Sequence, residues 1–347
     1  MRQRRGSAPL SLPTTDSMTT APTIADVQAA RVALRTTVYH TPLLRSQTFS
    51  RLAEAEVWFK PENLQRTGSF KLRGALYVIA HLDPELRARG VVAARAGNHA
   101  QGVALGGRAA GIAVTIVMPR TAPLPKLEAT RGYGAEVILH GENYYEAFQY
   151  AERLSRAEGK TLIHAYDNRY VIAGQGTIAL EVLDELPDVE VVVVPVGGGG
   201  LISGIGLVLK TLSPQVELIG VQAAAAPAAL RSYRSGHLET VRPTPTLADG
   251  VAVSRPGHIT LGMIRRYVDD MVAVTEDEIA HAMVLLAERA KLLVEGAGAV
   301  GAAALAAGRI ARPGKRIAVV LSGGNVSLPV LARLIQHDQE TNGATPA

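Results

Sequence analysis

Lys71 stands in the run Thr67-Gly68-Ser69-Phe70-Lys71-Leu72-Arg73-Gly74, just past a Gly-Ser turn and just inside a segment of helical pattern. A lysine enclosed there, with cations nearby, can lose its charge and act as an amine nucleophile. On its own it fits a solvated helix lysine at least as well. Three other runs alter that balance. Gly197-Gly198-Gly199-Gly200 follows a valine-rich strand pattern and precedes an apolar helical one. Such glycines let backbone N–H groups close on a phosphate, with a favourable helix dipole behind them; a plain tight turn is the competing reading. No Gly-Lys-Ser/Thr follows and no dinucleotide fingerprint is present, so the run is not a P-loop. Ser322-Gly323-Gly324-Asn325 puts a hydroxyl at a strand end where the main chain can pass close to a ligand; a generic Ser-Gly-Gly turn would read the same way. Ala96-Gly97-Asn98-His99-Ala100-Gln101-Gly102 opens a helix after a strand, and its N–H groups suit a carboxylate. Asn98 there also reads as an N-cap, and His99 as a residue that merely packs.

Short β-branched runs alternate with longer helical patterns along the chain. The strand patterns cover 56–60, 91–94, 113–118, 136–139, 190–195, 217–222, 271–275 and 316–321. Helical patterns fill the gaps, for example 144–158, 275–291 and 297–309. Such alternation predicts βαβ units and an α/β fold with two open parallel sheets. Residues 89–164 would form a smaller domain, and 23–88 with 165–335 a larger one. Residues 1–22, rich in Ser, Thr and Pro, read as a disordered tail that holds a second methionine, Met18, as an alternative start; 336–347 reads as a closing tail. Thr23 is the predicted N-cap of the first helix. Ligands of open α/β sheets bind beyond the carboxyl ends of strands, and Arg95–His99, Gly197 and Ser322 all fall at such ends.

The chain has 347 residues, 47% of them apolar and only 4% aromatic, a profile that suits a buried parallel sheet in a two-domain protein. With no cysteine, disulfides and thiolate metal sites are excluded, and a cytoplasmic setting is expected. The net charge of +5 is spread without a basic, aromatic-laced stripe, which argues against nucleic acid. No run is long and apolar enough for a membrane span, and the arginine-bearing N-terminus lacks a secretory apolar core.

Read together, the Lys71 run, the four glycines and Ser322-Gly323-Gly324-Asn325 resemble the threonine/serine dehydratase family of fold-type-II pyridoxal-phosphate enzymes, in the short form without a C-terminal regulatory domain. The resemblance spans about Ile24 to Ser327, and Ala173–Thr177, Thr246–Gly250 and Val294–Gly298 also match it. It implies a tryptophan-synthase-β-like fold with pyridoxal 5'-phosphate between the domains. It implies Lys71 as the Schiff-base lysine and catalytic base, Gly197, Gly198, Gly199 and Gly200 as the phosphate loop, Phe70 against the cofactor ring, Ser322 on the pyridine nitrogen and Asn98 on the phenolic oxygen. Ser69, Ala96, Gly97, Asn98 and His99 would bind the substrate carboxylate. Glu295 is a candidate acid near the ring, or equally a structural acid at a helix end. The implied reaction is β-elimination of water from L-threonine or L-serine by a homodimer or homotetramer. Without the regulatory domain, no isoleucine feedback is expected.

The sequence departs from that family at Arg95, where dehydratases usually carry serine. Arg95 could meet a second carboxylate, favouring an acidic substrate such as 3-hydroxyaspartate. It could turn to the surface, or it could impair catalysis and leave a protein that binds the cofactor and turns over little. Ala96 stands where the racemase branch typically has a proton-moving serine; alanine moves no protons, so racemisation is disfavoured. Residues 222–229 offer only Gln222 and backbone oxygen to a hard cation, so no metal site is expected.

Overall fold

The computed structural model describes residues 20–342. Ten strands lie within them: β1 (Leu44–Arg45), β2 (Glu56–Pro61), β3 (Val91–Ala94), β4 (Val114–Met118), β5 (Glu136–Leu139), β6 (Thr161–Leu162), β7 (Val191–Pro195), β8 (Glu217–Ala223), β9 (Asp270–Val274) and β10 (Arg316–Leu321). They form a six-stranded sheet in the order β1-β2-β10-β7-β8-β9 and a four-stranded sheet in the order β5-β4-β3-β6. Every pairing is parallel except β1 with β2.

The valine runs explain the large sheet. Successive side chains in a strand point to opposite faces, and in β7 both faces are buried. Val192 and Val194 pack with Leu218 and Val320 under the helices Arg169–Glu185 and Gly200–Leu212. Val191 and Val193 pack with Ile219 and Val319 against Gly296–Ala306 and Glu276–Leu285 on the other side. A strand this apolar on both faces is stable only between two helical layers. The small sheet repeats the arrangement: Val91, Ala93 and Ile116 face one cluster, Val92, Ala94 and Val117 face another beneath the helix Tyr144–Glu158.

The helix Lys71–Ala80 joins the two cores. Leu72, Leu76 and Tyr77 belong to the large-sheet cluster, whereas Ala75, Val78 and Ile79 belong to the small-sheet cluster. Its orientation is fixed further by a buried ion network. The Arg73 guanidinium is bidentate to Glu62 (2.8 and 2.8 Å) and bidentate to Glu181 (2.6 and 2.9 Å). Lys60 Nζ meets the same Glu181 at 2.7 Å. All four side chains are buried. Burial alone would raise the Glu62 pKa, but Arg73 and Thr41 hold it below the usual carboxylate range.

Most element bounds agree with the pattern reading, and the differences have local causes. Thr23 caps the first helix among the described residues, Ile24–Leu34, through a capping box with Asp26. The segment expected as one helix over 275–291 is α-helical only to Leu285, then widens to a π turn over Leu286–Ala290 and stops at Lys291, whose φ of 59° ends the ladder. Of the expected closing tail over 336–347, the described residues 336–342 belong to the helix Leu328–Asn342, which packs through buried Leu331 and bonds Asp338 to His281 at 2.9 Å; 343–347 lie outside the described residues. The expected tail over 1–22 lies almost wholly outside the described residues.

Candidate active site

A cleft of about 760 Å³, counting its open mouth, lies beyond the carboxyl ends of β3, β7 and β10, between the two sheets. Phe70, Lys71, Arg95, Ala96, Gly97, Asn98, His99, Gly197, Gly198, Gly199, Glu295 and Ser322 all line it, although they come from five separate stretches of the chain. Gly200 and Ser69 do not line the wall. Gly200 starts the helix behind the glycine loop, and Ser69 is fully buried in an isolated bridge to Gly323.

Lys71 is the first residue of its helix and part-buried. Its Nζ donates to Ala165 O at 2.9 Å and lies 5.0 Å from the centre of the Phe70 ring. Enclosure in the cleft lowers its pKa to about 7, aided by the positive charge of Arg95 and opposed by Glu295. The amine is therefore available in its neutral form near neutrality, as a nucleophile or base requires.

Two segments that line the same cleft as this lysine carry unsatisfied backbone donors. Among the described residues, the N–H groups from Gly197 to Ile202 donate to no other protein group; the first bond of that helix runs from Ser203 N to Gly199 O at 3.0 Å. The N–H groups from Ala96 to Ala100 are likewise unpaired, the first helical bond being Gln101 N to Gly97 O at 3.1 Å. Free N–H groups at helix starts are anion sites. The glycine loop has a packing reason as well. A Cβ on Gly198 would lie 2.4 Å from the Tyr166 ring, and Gly199 has φ of 97°.

Gly97 is the N-cap of the helix Asn98–Ala110, so Asn98 does not take the N-cap role its type suggested. Its side chain crosses the cleft instead. Nδ2 donates to Glu295 Oε1 at 2.5 Å, and Oδ1 accepts from Asn325 Nδ2 at 2.7 Å. Glu295 immediately precedes the helix Gly296–Ala306, and its buried side chain lines the cleft. Burial raises its pKa to about 7, with Asp249 adding to the rise. The Ser322 hydroxyl makes only one long contact, 3.5 Å to Ala297 O, and the Ser69 hydroxyl makes none. His99 is buried with Nε2 against Ile163 O at 3.0 Å, and burial, then Lys71, lowers its pKa to about 3. It is a neutral wall residue with its donor nitrogen already used.

Arg95 does not turn away to the outer surface. Its Nη2 reaches Asp249 O (3.3 Å) and Gly250 O (3.4 Å), and the guanidinium lies 5.4 Å from the Tyr144 ring centre. Tyr166, Ala165, Lys126 and Asp249 also line or touch the site, and the motif reading gave none of them a role. Ala165 and Tyr166 follow β6, whose two residues are too few to show a strand pattern. Gln222, the one side-chain oxygen offered to a cation, spends its amide on Val196 O and Leu230 N at 3.1 and 2.7 Å.

These groups fit pyridoxal phosphate. The cleft offers a neutralisable lysine, a donor-lined loop for a dianion, an apolar ring in Phe70, and a hydroxyl with spare bonding capacity in Ser322. The comparisons with known proteins agree. Residues 34–323 match the model of a family described as pyridoxal-phosphate dependent enzyme. The chain is 51% identical to an L-threonine ammonia-lyase of Thermotoga maritima over 92% of this chain and 80% of that one. It is 45% identical to a catabolic L-threonine dehydratase of Staphylococcus aureus over 90% of this chain and 92% of that one. Among solved structures, a maize serine racemase superposes with a TM-score of 0.87 at 33% identity, over 93% of this chain and 99% of that one.

Proposed function

Because the chain belongs to the pyridoxal-phosphate dependent enzyme family and has its fold-type-II architecture, we propose that its cleft removes water from L-threonine, giving 2-oxobutanoate and ammonia, and from L-serine, giving pyruvate and ammonia. The observation that carries this reading is the Lys71 amine, held near neutrality in a cleft that two segments with unpaired N–H donors also line. When bound, pyridoxal phosphate supplies an electron sink that stabilises negative charge at the substrate Cα.

The chain's own residues divide the remaining work. The N–H groups of Gly197, Gly198, Gly199 and Gly200 would hold the cofactor phosphate, and Phe70 would pack on its ring. Ser322 would meet the ring nitrogen with a neutral hydroxyl that fixes no proton there, which favours elimination over transamination. Asn98, already tied to Glu295, would donate to the phenolic oxygen. The N–H groups of Ala96, Gly97 and His99 would hold the substrate carboxylate; Ser69, expected to join them, is fully buried behind the cleft wall in this structure. Lys71 would carry the cofactor at rest and take the Cα proton on Nζ during turnover. In net balance the Cα proton taken by Lys71 and the β-hydroxyl would depart together as one water, and the released enamine would hydrolyse to the 2-oxo acid and ammonia, so one water departs and one returns. Ala96 gives the opposite face no proton donor, in keeping with elimination rather than racemisation. The proposal includes a cytoplasmic homodimer or homotetramer, which light scattering on the purified protein would test. No helix among the described residues is long and apolar enough to cross a membrane.

One observation favours a second reading. Arg95 lines the cleft and forms no ion pair among the described residues, so its charge is open to an acidic substrate such as 3-hydroxyaspartate. The test is 2-oxo acid release from L-threonine, L-serine and threo-3-hydroxyaspartate by the cofactor-loaded protein. Fastest turnover of threonine or serine supports the first reading. Turnover of the acidic substrate alone would replace it with the second.

A further inference from the structure

Two charged residues at the cleft mouth have no part in the roles above. Lys126 sits in the first turn of the helix Leu124–Gly132, in the four-stranded-sheet lobe. Its Nζ crosses to Asp249 Oδ2, in the other lobe, at 2.6 Å. The same ammonium lies 3.7 Å from where a Cβ on Gly97 would be, so it stands at the rim of the unpaired N–H groups of Gly97 and Asn98. Arg95 is close by, its guanidinium on the main-chain oxygens of Asp249 and Gly250. The side chain of Asp249 is 60% exposed and that of Lys126 29% exposed, so the carboxylate can leave and the ammonium can stay. A carboxylate of the protein thus already holds Lys126, the cation at the rim of the Gly97 turn, while Arg95 holds the main-chain oxygens beside that carboxylate.

The geometry points to Asp249 as an internal stand-in for the substrate carboxylate: the incoming amino acid takes Lys126 from Asp249, which makes Lys126 a specificity residue for that carboxylate. This inference rests on the amino-acid reading of the cleft given above. The exchange costs little, since an exposed ion pair is weak and an equivalent one replaces it. The substrate pair forms deeper in the cleft, beside the N–H groups, where charge-assisted bonds are stronger. Each residue therefore has its own sign. Removing the Lys126 charge removes a substrate contact, whereas neutralising Asp249 removes a competitor.

The signs are read by calorimetric titration of the cofactor-loaded protein with L-alanine, which has the amine and carboxylate but no leaving group. L-Alaninamide, which lacks the carboxylate, is the control. We expect Lys126→Met to weaken L-alanine binding roughly tenfold, the loss of about 1.4 kcal/mol, and Lys126→Arg to restore most of it. Asp249→Asn should tighten L-alanine binding roughly two- to fivefold, within the range of a weak competing pair. L-Alaninamide should respond to neither substitution. Weakening by both Lys126→Met and Asp249→Asn would show a merely structural bridge and overturn the inference, as would equal losses for L-alanine and L-alaninamide, or no L-alanine binding by the unmodified protein. Intact L-alanine binding with the expected signs but no turnover of threonine or serine would sink the dehydratase reading and leave the exchange standing.

Discussion

Removing the Lys71 amine from the cofactor-free protein should change how stability depends on pH. The folded pKa is about 7, against an ordinary 10.5. Between those values the unfolded chain binds a proton that the folded one rejects. Stability therefore rises with pH across that window, by about 1.4 kcal/mol per unit. Below pH 7 both states are protonated, and the folded state bears the full penalty. The whole interval corresponds to about 5 kcal/mol, reduced to about 3 kcal/mol because the cleft stays open to solvent. Lys71→Met keeps most of the side-chain volume and removes the titration. The assay is urea unfolding of both proteins, stripped of cofactor with hydroxylamine, at pH 7, 8, 9 and 10. The difference, unmodified minus variant, should climb by about 3 kcal/mol over that range. A difference flat in pH would refute the claim that the cleft holds this amine near neutrality, and with it the physical basis for Lys71 as base.

Two further outcomes follow from the packing. Arg73→Leu leaves buried Glu62 with no cation bonded to it and Glu181 with Lys60 alone, and should cost about 3–5 kcal/mol, read as a lower urea midpoint, while loss of less than about 1 kcal/mol would mean the network adapts. Gly198→Ala drives a methyl to 2.4 Å from the Tyr166 ring; overpacking of about 1–3 kcal/mol should appear as weaker pyridoxal-phosphate binding in a spectrophotometric titration, and unchanged affinity would show that the loop can yield.

Much of this site could be read in the chain because its chemistry sits at strand ends. The valine runs of β7 and β10 are apolar on both faces, which marks them as interior parallel strands, and Gly197 and Ser322 follow them directly. Lys71 was visible through its neighbours Ser69, Phe70 and Arg73. What could not be read depends on distant pairs. Arg73 meets Glu181 across a sequence separation of 108, and Lys126 meets Asp249 across 123; no local pattern encodes either contact. Asn98 has the residue type of an N-cap, but Gly97 takes that position with positive φ and frees the Asn98 amide to join Glu295 and Asn325. Tyr166, which backs the glycine loop, follows a strand too short to show periodicity. The closing helix leaves little trace in the sequence because its apolar face is narrow, with Leu331 buried and Leu334 only partly so.

Lys71 as the carrier of pyridoxal phosphate has a direct chemical test. Borohydride treatment of the cofactor-loaded protein turns the cofactor–lysine linkage into a stable secondary amine, which peptide mass spectrometry locates. The adduct is expected on the peptide bearing Lys71 and is expected to be absent from Lys71→Ala. An adduct on Lys60, Lys126 or any other lysine, or none on the active protein, would contradict it.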